Sequence, residues 1–252
     1  MTSEVHNIDC LELMRTLPDK CFQLAIADPP YGWGNGSGDR TGGSWSTKYG
    51  KKIKTWDNPP TQEWFDELER VSENRIIWGA NYFTMPPCRC FIVWKKLSIS
   101  ESFTMAMAEY AWTSFNANTK VFEFPPQGDR NDPRFHPTQK PVELYAWLMN
   151  TYAKPGDRIF DPMMGSQSSR IAAYKLGFDY VGCELDKEYF AKGCERFDRE
   201  CHGITISENG QRYQQTSLFT PNPDSVSDHQ PDSVSDHQPD SVSASRPNSD
   251  IR

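Results

Sequence analysis

The segment that most restricts the fold is Phe160-Asp161-Pro162-Met163-Met164-Gly165-Ser166. It closes a short strand-like run, Arg158 to Phe160, and opens a helical stretch reaching about Lys175. A further strand, Tyr180 to Cys183, follows. Strand, tight glycine turn and helix N-terminus in that order form a nucleotide-type pocket, because a backbone without side chains there approaches a ligand closely. Glu184 stands 19 residues beyond Gly165. At the end of the next strand, an acidic side chain at that offset accepts both hydroxyls of a ribose.

The rest of the chain repeats this alternation. Gln23 to Ala27, Arg75 to Trp78, Phe91 to Trp94 and Tyr110 to Phe115 read as strands, and Trp64 to Val71 as a helix. Val142 to Ala153 is a second helix, with Val142, Tyr145, Leu148, Met149 and Tyr152 on one face. Strands alternating with helices imply an α/β class with a Rossmann-like, mostly parallel sheet.

Two acidic positions carry the chemistry. The glycine turn is not G-x-G-x-x-G, and Asp161 at its strand end would repel a pyrophosphate. It suits a ligand with a cationic amino acid portion, a description that S-adenosylmethionine meets; the plainer alternative is Asp161 or Ser166 capping the helix. The second position is Asp28, in Asp28-Pro29-Pro30-Tyr31 directly after a strand. Paired prolines stiffen the backbone and have no N–H to give. Asp28 and the Pro29 carbonyl can then accept both hydrogens of one amino group, with Tyr31 offering a ring for stacking. That geometry suits the exocyclic amine of a base flipped out of a duplex. Accepting its hydrogens localises the lone pair for attack on a methyl group. In an open parallel sheet, ligands bind outside the carboxyl ends of the strands, so Asp28 and Asp161 are expected on one rim.

Composition narrows the remaining possibilities. A chain of 252 residues, 37% hydrophobic, suffices for one large domain. Its longest apolar runs fall far short of the roughly 20 residues that cross a bilayer, and residues 1–30 lack a leader pattern. A cytoplasmic protein without a membrane partner is expected. The seven cysteines show no paired metal-ligand spacing, and the proposed chemistry needs no metal. From Pro221 an eight-residue unit, PDSVSDHQ, repeats with a partial third copy, and 221–252 holds six aspartates against two arginines. Such a segment buries too little apolar surface to order, which leaves 1–220 as the folded domain. The net charge of -7 hides a basic stretch. Residues 32–56 are glycine-rich and carry Arg40, Lys48, Lys51, Lys52 and Lys54 among three tryptophans and a tyrosine, a combination suited to a nucleic-acid backbone.

With these motifs in hand, the chain resembles the DNA amino-methyltransferases, in the group whose catalytic motif precedes its cofactor motif. The likeness runs from Asn7-Ile8-Asp9-Cys10 through Asp28-Pro29-Pro30-Tyr31 and His136-Pro137-Thr138-Gln139-Lys140-Pro141 to Phe160-Asp161-Pro162, Glu184-Leu185-Asp186 and Tyr189. It implies S-adenosylmethionine held by Asp161, Gly165, Ser166 and Glu184. Asp9 and Cys10 would lie near the adenine, and Thr138, Gln139 and Lys140 near the methionine end. Asp at the first position of the tetrapeptide resembles the adenine-N6 members, cytosine-N4 members typically carrying Ser. DNA is the implied partner; oligomeric state stays open. Gln167 stands where the family usually has a second glycine, and its side chain is expected to crowd the methionine moiety or to replace a backbone contact. The region of about 115–135 is short for target recognition, with Arg130 and Arg134 as candidate phosphate or base contacts. Cytosine-N4 or RNA adenine methylation, and a non-catalytic DNA-binding or cofactor-sensing protein, are the alternatives.

Overall fold

A computed structural model describes residues 1–32, 57–102, 106–126, 134–207 and 209–214. The strands are β1 (Ser3–His6), β2 (Phe22–Ala27), β3 (Ser72–Trp78), β4 (Phe91–Lys96), β5 (Ala108–Thr113), β6 (Lys120–Phe124), β7 (Arg158–Asp161), β8 (Asp179–Cys183), β9 (Ile204–Ile206) and β10 (Arg212–Gln214). The helices are α1 (Cys10–Thr16), α2 (Gln62–Val71), α3 (Val142–Tyr152), α4 (Ser168–Leu176) and α5 (Lys187–His202), with a 3-10 turn at Ala80–Tyr82.

Eight strands form one sheet in the order β1-β8-β7-β2-β3-β5-β4-β6, and β9 pairs with β10 in a separate hairpin. Only β5 runs against the rest of the main sheet, antiparallel to both β3 and β4. The expected α/β class with a mostly parallel sheet is what the chain adopts.

Strand β2 reads FQLAIA with almost every position buried, the continuous apolar pattern of a strand covered on both faces. Alternate residues go opposite ways. Leu24 and Ile26, with Ile76 and Trp78 of β3, pack under Leu144, Leu148 and Met149 of α3 and Ala172 and Ala173 of α4. Ala25, Ala27 and Ile77 face Leu13 and Met14 of α1 and Trp64 and Leu68 of α2. The prolines after Asp28 supply no N–H for a ladder and end β2 there.

Several elements depart from the expected ones. The region of 115–135 contributes β6, an edge strand parallel to β4 from Ile92↔Lys120 to Lys96↔Phe124. Strand β5 stops at Thr113, where Phe115 was expected. Helix α5, capped by Asp186 accepting from Glu188 and Tyr189, and strand β1 carry too few apolar residues to announce themselves. The basic residues of 32–56, Arg130 and the boundary at Pro221 lie outside the described residues. No described helix is long and apolar enough to cross a membrane.

Candidate active site

Strands β7 and β2 are parallel neighbours in the register Leu24↔Ile159 and Ala25↔Phe160. Asp161 and Asp28, each at the carboxyl end of its strand, therefore stand on the same rim. Glu184 follows β8, which pairs with β7 on the other side (Asp161↔Gly182). Asp9 caps α1 beside it, accepting from Leu11 and Glu12 N–H at 2.8 and 3.3 Å, and Asn7 Nδ2 donates to the Glu184 carbonyl at 2.7 Å. Cys10 is buried under the Trp64 indole N–H, 3.1 Å from Sγ.

The cofactor-type turn is closed largely by its own residues. Asp161 is 1% exposed. It accepts from Met163 N–H at 3.0 Å and from Ser169 Oγ at 2.5 Å. Burial outweighs these donors and lifts its carboxyl to about 7. Glu184 accepts from Gly165 N–H and Asp186 N–H, each at 2.8 Å, and burial raises it as well. At Gly165, with φ +50°, an added Cβ would sit 3.1 Å from the His136 ring. Glycine is needed there both for the left-handed backbone and for that close approach. The His136 imidazole is pushed by burial down to about 3, so it packs as a neutral ring.

Gln167 corrects an expectation. Its backbone takes the left-handed conformation at φ +61°, which costs a non-glycine residue about 1 kcal/mol. Its side chain, however, turns away from the turn to lie against Gly193 of α5, where a Cβ would come within 2.6 Å. It donates to the Phe190 carbonyl at 3.2 Å and accepts from Arg170 at 2.9 Å. It therefore neither crowds the turn nor replaces a backbone contact in it. Ser166 Oγ lies 3.2 Å from Ser168 Oγ, and its carbonyl accepts from the buried Arg196 at 2.7 Å.

Lys140, expected near the methionine end of a cofactor, has its ammonium 2.6 Å from Asp28 Oδ2 and 3.0 Å from Glu109 Oε2. The reason is charge: a lysine that is 4% exposed stays cationic only with partners. Thr138 Oγ1 lies 3.2 Å from His136 Nδ1. The carbonyl of the buried Gln139 accepts from Arg134 Nη2, so that guanidinium braces the segment.

At Asp28, Tyr31 Oη donates to Oδ1 at 2.9 Å. The Tyr31 ring stacks on Tyr82 at 4.8 Å and lies where a Cβ at Gly79 would be, 2.0 Å from Tyr31 Cε1. Each Asp28 oxygen thus holds one hydrogen bond and keeps a lone pair for another. Burial raises the carboxyl, with Lys140 pulling it back and Glu109 adding to the rise. Sequence reading missed Glu109, Lys96 and Tyr82. The acidic and basic residues inside otherwise apolar β5 and β4 were the available signal. Among the described residues no group of His, Cys, Asp and Glu is arranged to hold a metal ion.

Residues 107–194 match the family model for DNA methylase of the N6/N4 type. The M1.HpyAVI–SAM complex superposes with a TM-score of 0.53 at 19% identity, over 78% of this chain and all of that one. The fold is that of the DNA methyltransferases. YubD of Escherichia coli K12, assigned as a methylase, is 28% identical over 206 residues, 75% of this chain and 87% of its own. The DNA adenine methyltransferase YhdJ of the same strain is 36% identical over 99 residues, 36% of this chain and 34% of its own. Within the methyltransferase fold, β7, α4 and β8 build the turn, and β2 delivers the tetrapeptide alongside it.

Proposed function

We propose that the chain transfers a methyl group from S-adenosylmethionine to N6 of adenine in DNA, acting in the cytoplasm. The observation that carries this reading is the placement of Asp28 and Asp161 on adjacent parallel strand ends. The donor set supports the cofactor: carboxylates at Asp161 and Glu184 around a glycine turn suit a cationic amino acid and a ribose, and would repel a pyrophosphate. When bound, S-adenosylmethionine supplies a methyl group activated by its sulfonium.

The remaining work belongs to side chains of this protein. Asp161 attracts the ammonium of the methionine portion, Glu184 receives the ribose hydroxyls, and Asp9, Cys10, Gly165, Ser166, Thr138 and Gln139 shape the walls. On the acceptor side, Asp28 and the Pro29 carbonyl take the amino hydrogens, Pro30 stiffens the tetrapeptide, and the Tyr31 ring supports the flipped base. The amino nitrogen would bond to the methyl carbon as that carbon's bond to sulfur breaks, the electron pair staying on sulfur as a neutral thioether, and one proton would leave the nitrogen, to solvent or through Asp28. The DNA backbone is assigned to Arg40, Lys48, Lys51, Lys52, Lys54 and Arg130. Arg134 contributes through its brace on Gln139.

Asp28 and the likeness to YhdJ favour adenine over cytosine. The test is transfer of labelled methyl from S-adenosylmethionine to unmethylated DNA with nucleoside analysis. Labelled N6-methyladenine is the expected product. N4-methylcytosine would overturn the base assignment, and label only in RNA would overturn the substrate. Cofactor binding without any transfer would favour a sensing protein.

A further inference from the structure

The acceptor rim is backed by an alternating row of charges: Asp28, Lys140, Glu109, Lys96. Lys140 bridges Asp28 and Glu109 at 2.6 and 3.0 Å, and Lys96 Nζ lies 2.5 Å from the other Glu109 oxygen. The lysines are 4% and 8% exposed. Four elements supply the row: the end of β2, the segment before α3, the reversed strand β5 and the end of β4. Its formal charges cancel, so no net charge is buried.

We propose that Lys140 and Glu109 are positioning residues for Asp28: Lys140 keeps the carboxylate anionic and aimed, and Glu109 shares the ammonium so that Asp28 retains its strength as an acceptor. The inference rests on the methyl-transfer reading and deepens it.

A carboxyl buried without a cation prefers to be neutral. A neutral carboxyl carries an O–H and can present a donor where the amine also presents one, leaving the lone pair delocalised. Lys140 prevents this. An ammonium with a single anionic partner would, in turn, saturate that partner through a charge-assisted bond. The ammonium donates to Asp28 Oδ2, while Glu109 Oε2, 3.0 Å away, draws on the same positive charge as an ion-pair partner. Burial works to raise Glu109, but Lys140 and Lys96 outweigh it and hold the carboxyl at about 2, so Glu109 is a permanent anion. Among the described residues, the charged and titratable groups around Asp28 are Tyr31, Lys140 and Glu109, with Asp161 and Tyr145 in electrostatic reach. His136, near Lys140, is neutral.

The backbone of Lys140 is fixed from the other site. Ser168 Oγ donates to its carbonyl at 2.7 Å, and Arg196 donates to that same hydroxyl at 2.8 Å. One residue therefore joins the helix leaving the glycine turn to the acceptor carboxylate.

The test follows the Asp28 carboxyl directly, by carbon-13 titration of the full chain without cofactor or DNA, alongside the pH profile of single-turnover methyl transfer. Lys140→Met should move the Asp28 midpoint up and carry the acid limb of the profile with it. Glu109→Gln should move both down, since an anion that disfavours ionisation is gone. Each should slow transfer roughly 10–100-fold, the usual effect of losing a partner that orients a reacting group, with KM for S-adenosylmethionine unchanged. Lys140→Arg and Glu109→Asp should restore the midpoint in part, and they serve in place of any neutral variant that fails to fold. Unmoved midpoints in folded variants, or a lowered Tm alone, would overturn the inference while methyl transfer by the wild type stands. A wild type that methylates neither DNA nor RNA would remove the parent reading and the inference with it.

Discussion

The two halves of the site are built in opposite ways. At the turn after β7, Asp161 is satisfied by residues two and eight positions away, and Glu184 reaches back 19 residues to Gly165. At the acceptor rim, the lysine on Asp28 comes from 112 residues along the chain, and Glu109 and Lys96 arrive on strands that continue the sheet beyond β3. The first half is a local device whose backbone closes on itself. The second is assembled by the sheet, and its carboxylate depends on charges from distant elements. Damage at the turn should therefore appear first in cofactor affinity, and damage at the rim in the rate of transfer.

The largest expected effect breaks the rim alone. Asp28→Ala should lower kcat by about 10³-fold, the scale of losing a group that stabilises charge developing at the reacting atom. Cofactor affinity, read by calorimetry, should stay near wild type. Near-normal turnover would end the acceptor role of Asp28.

Next comes the turn. Glu184→Ala should weaken S-adenosylmethionine binding by about 1–3 kcal/mol, the penalty for leaving buried donors without a partner. An unchanged Kd would refute the ribose assignment.

A pH series sharpens the contrast further. Asp161 titrates at about 7 in the folded chain, so below that pH it is mostly neutral and offers a cationic ligand little. Affinity for the cofactor should rise about tenfold between pH 5.5 and 7, a linkage lost in Asp161→Asn. The same shift has a consequence for stability. A carboxyl whose folded value is raised favours the folded state at low pH, and that contribution fades as pH climbs from the ordinary Asp range through about 7. Urea melts of the wild type and Asp161→Asn across that window would expose it.

The smallest effect concerns Gln167. Because its side chain lies against Gly193, Gln167→Ala should change cofactor Kd less than about twofold, while leaving a gap between α4 and α5 that lowers stability by about 1–3 kcal/mol. A large loss of affinity would return Gln167 to the pocket.

The sequence by itself determined the alternation of strands and helices, the turn from Phe160 to Ser166 with Glu184 beyond it, and the tetrapeptide ending β2. Each of these is written in neighbouring residues: continuous apolar runs in β2 and at the end of β3, prolines that stop a strand, and a glycine where the backbone turns left-handed. Other features needed the tertiary structure. Strand β1 and helix α5 are too polar to be seen in isolation and form because the sheet edge and α4 offer them partners. The Lys140 ammonium is placed by Asp28, just past the end of β2, and by Glu109 on β5, carboxylates that only the sheet brings together. Gln167 shares a turn with Gly165, but the space left by a glycine 26 positions later decides where its amide goes. Local backbone preference is carried by adjacent residues, whereas the placement of a buried charge or a long side chain depends on which distant groups the fold brings within reach.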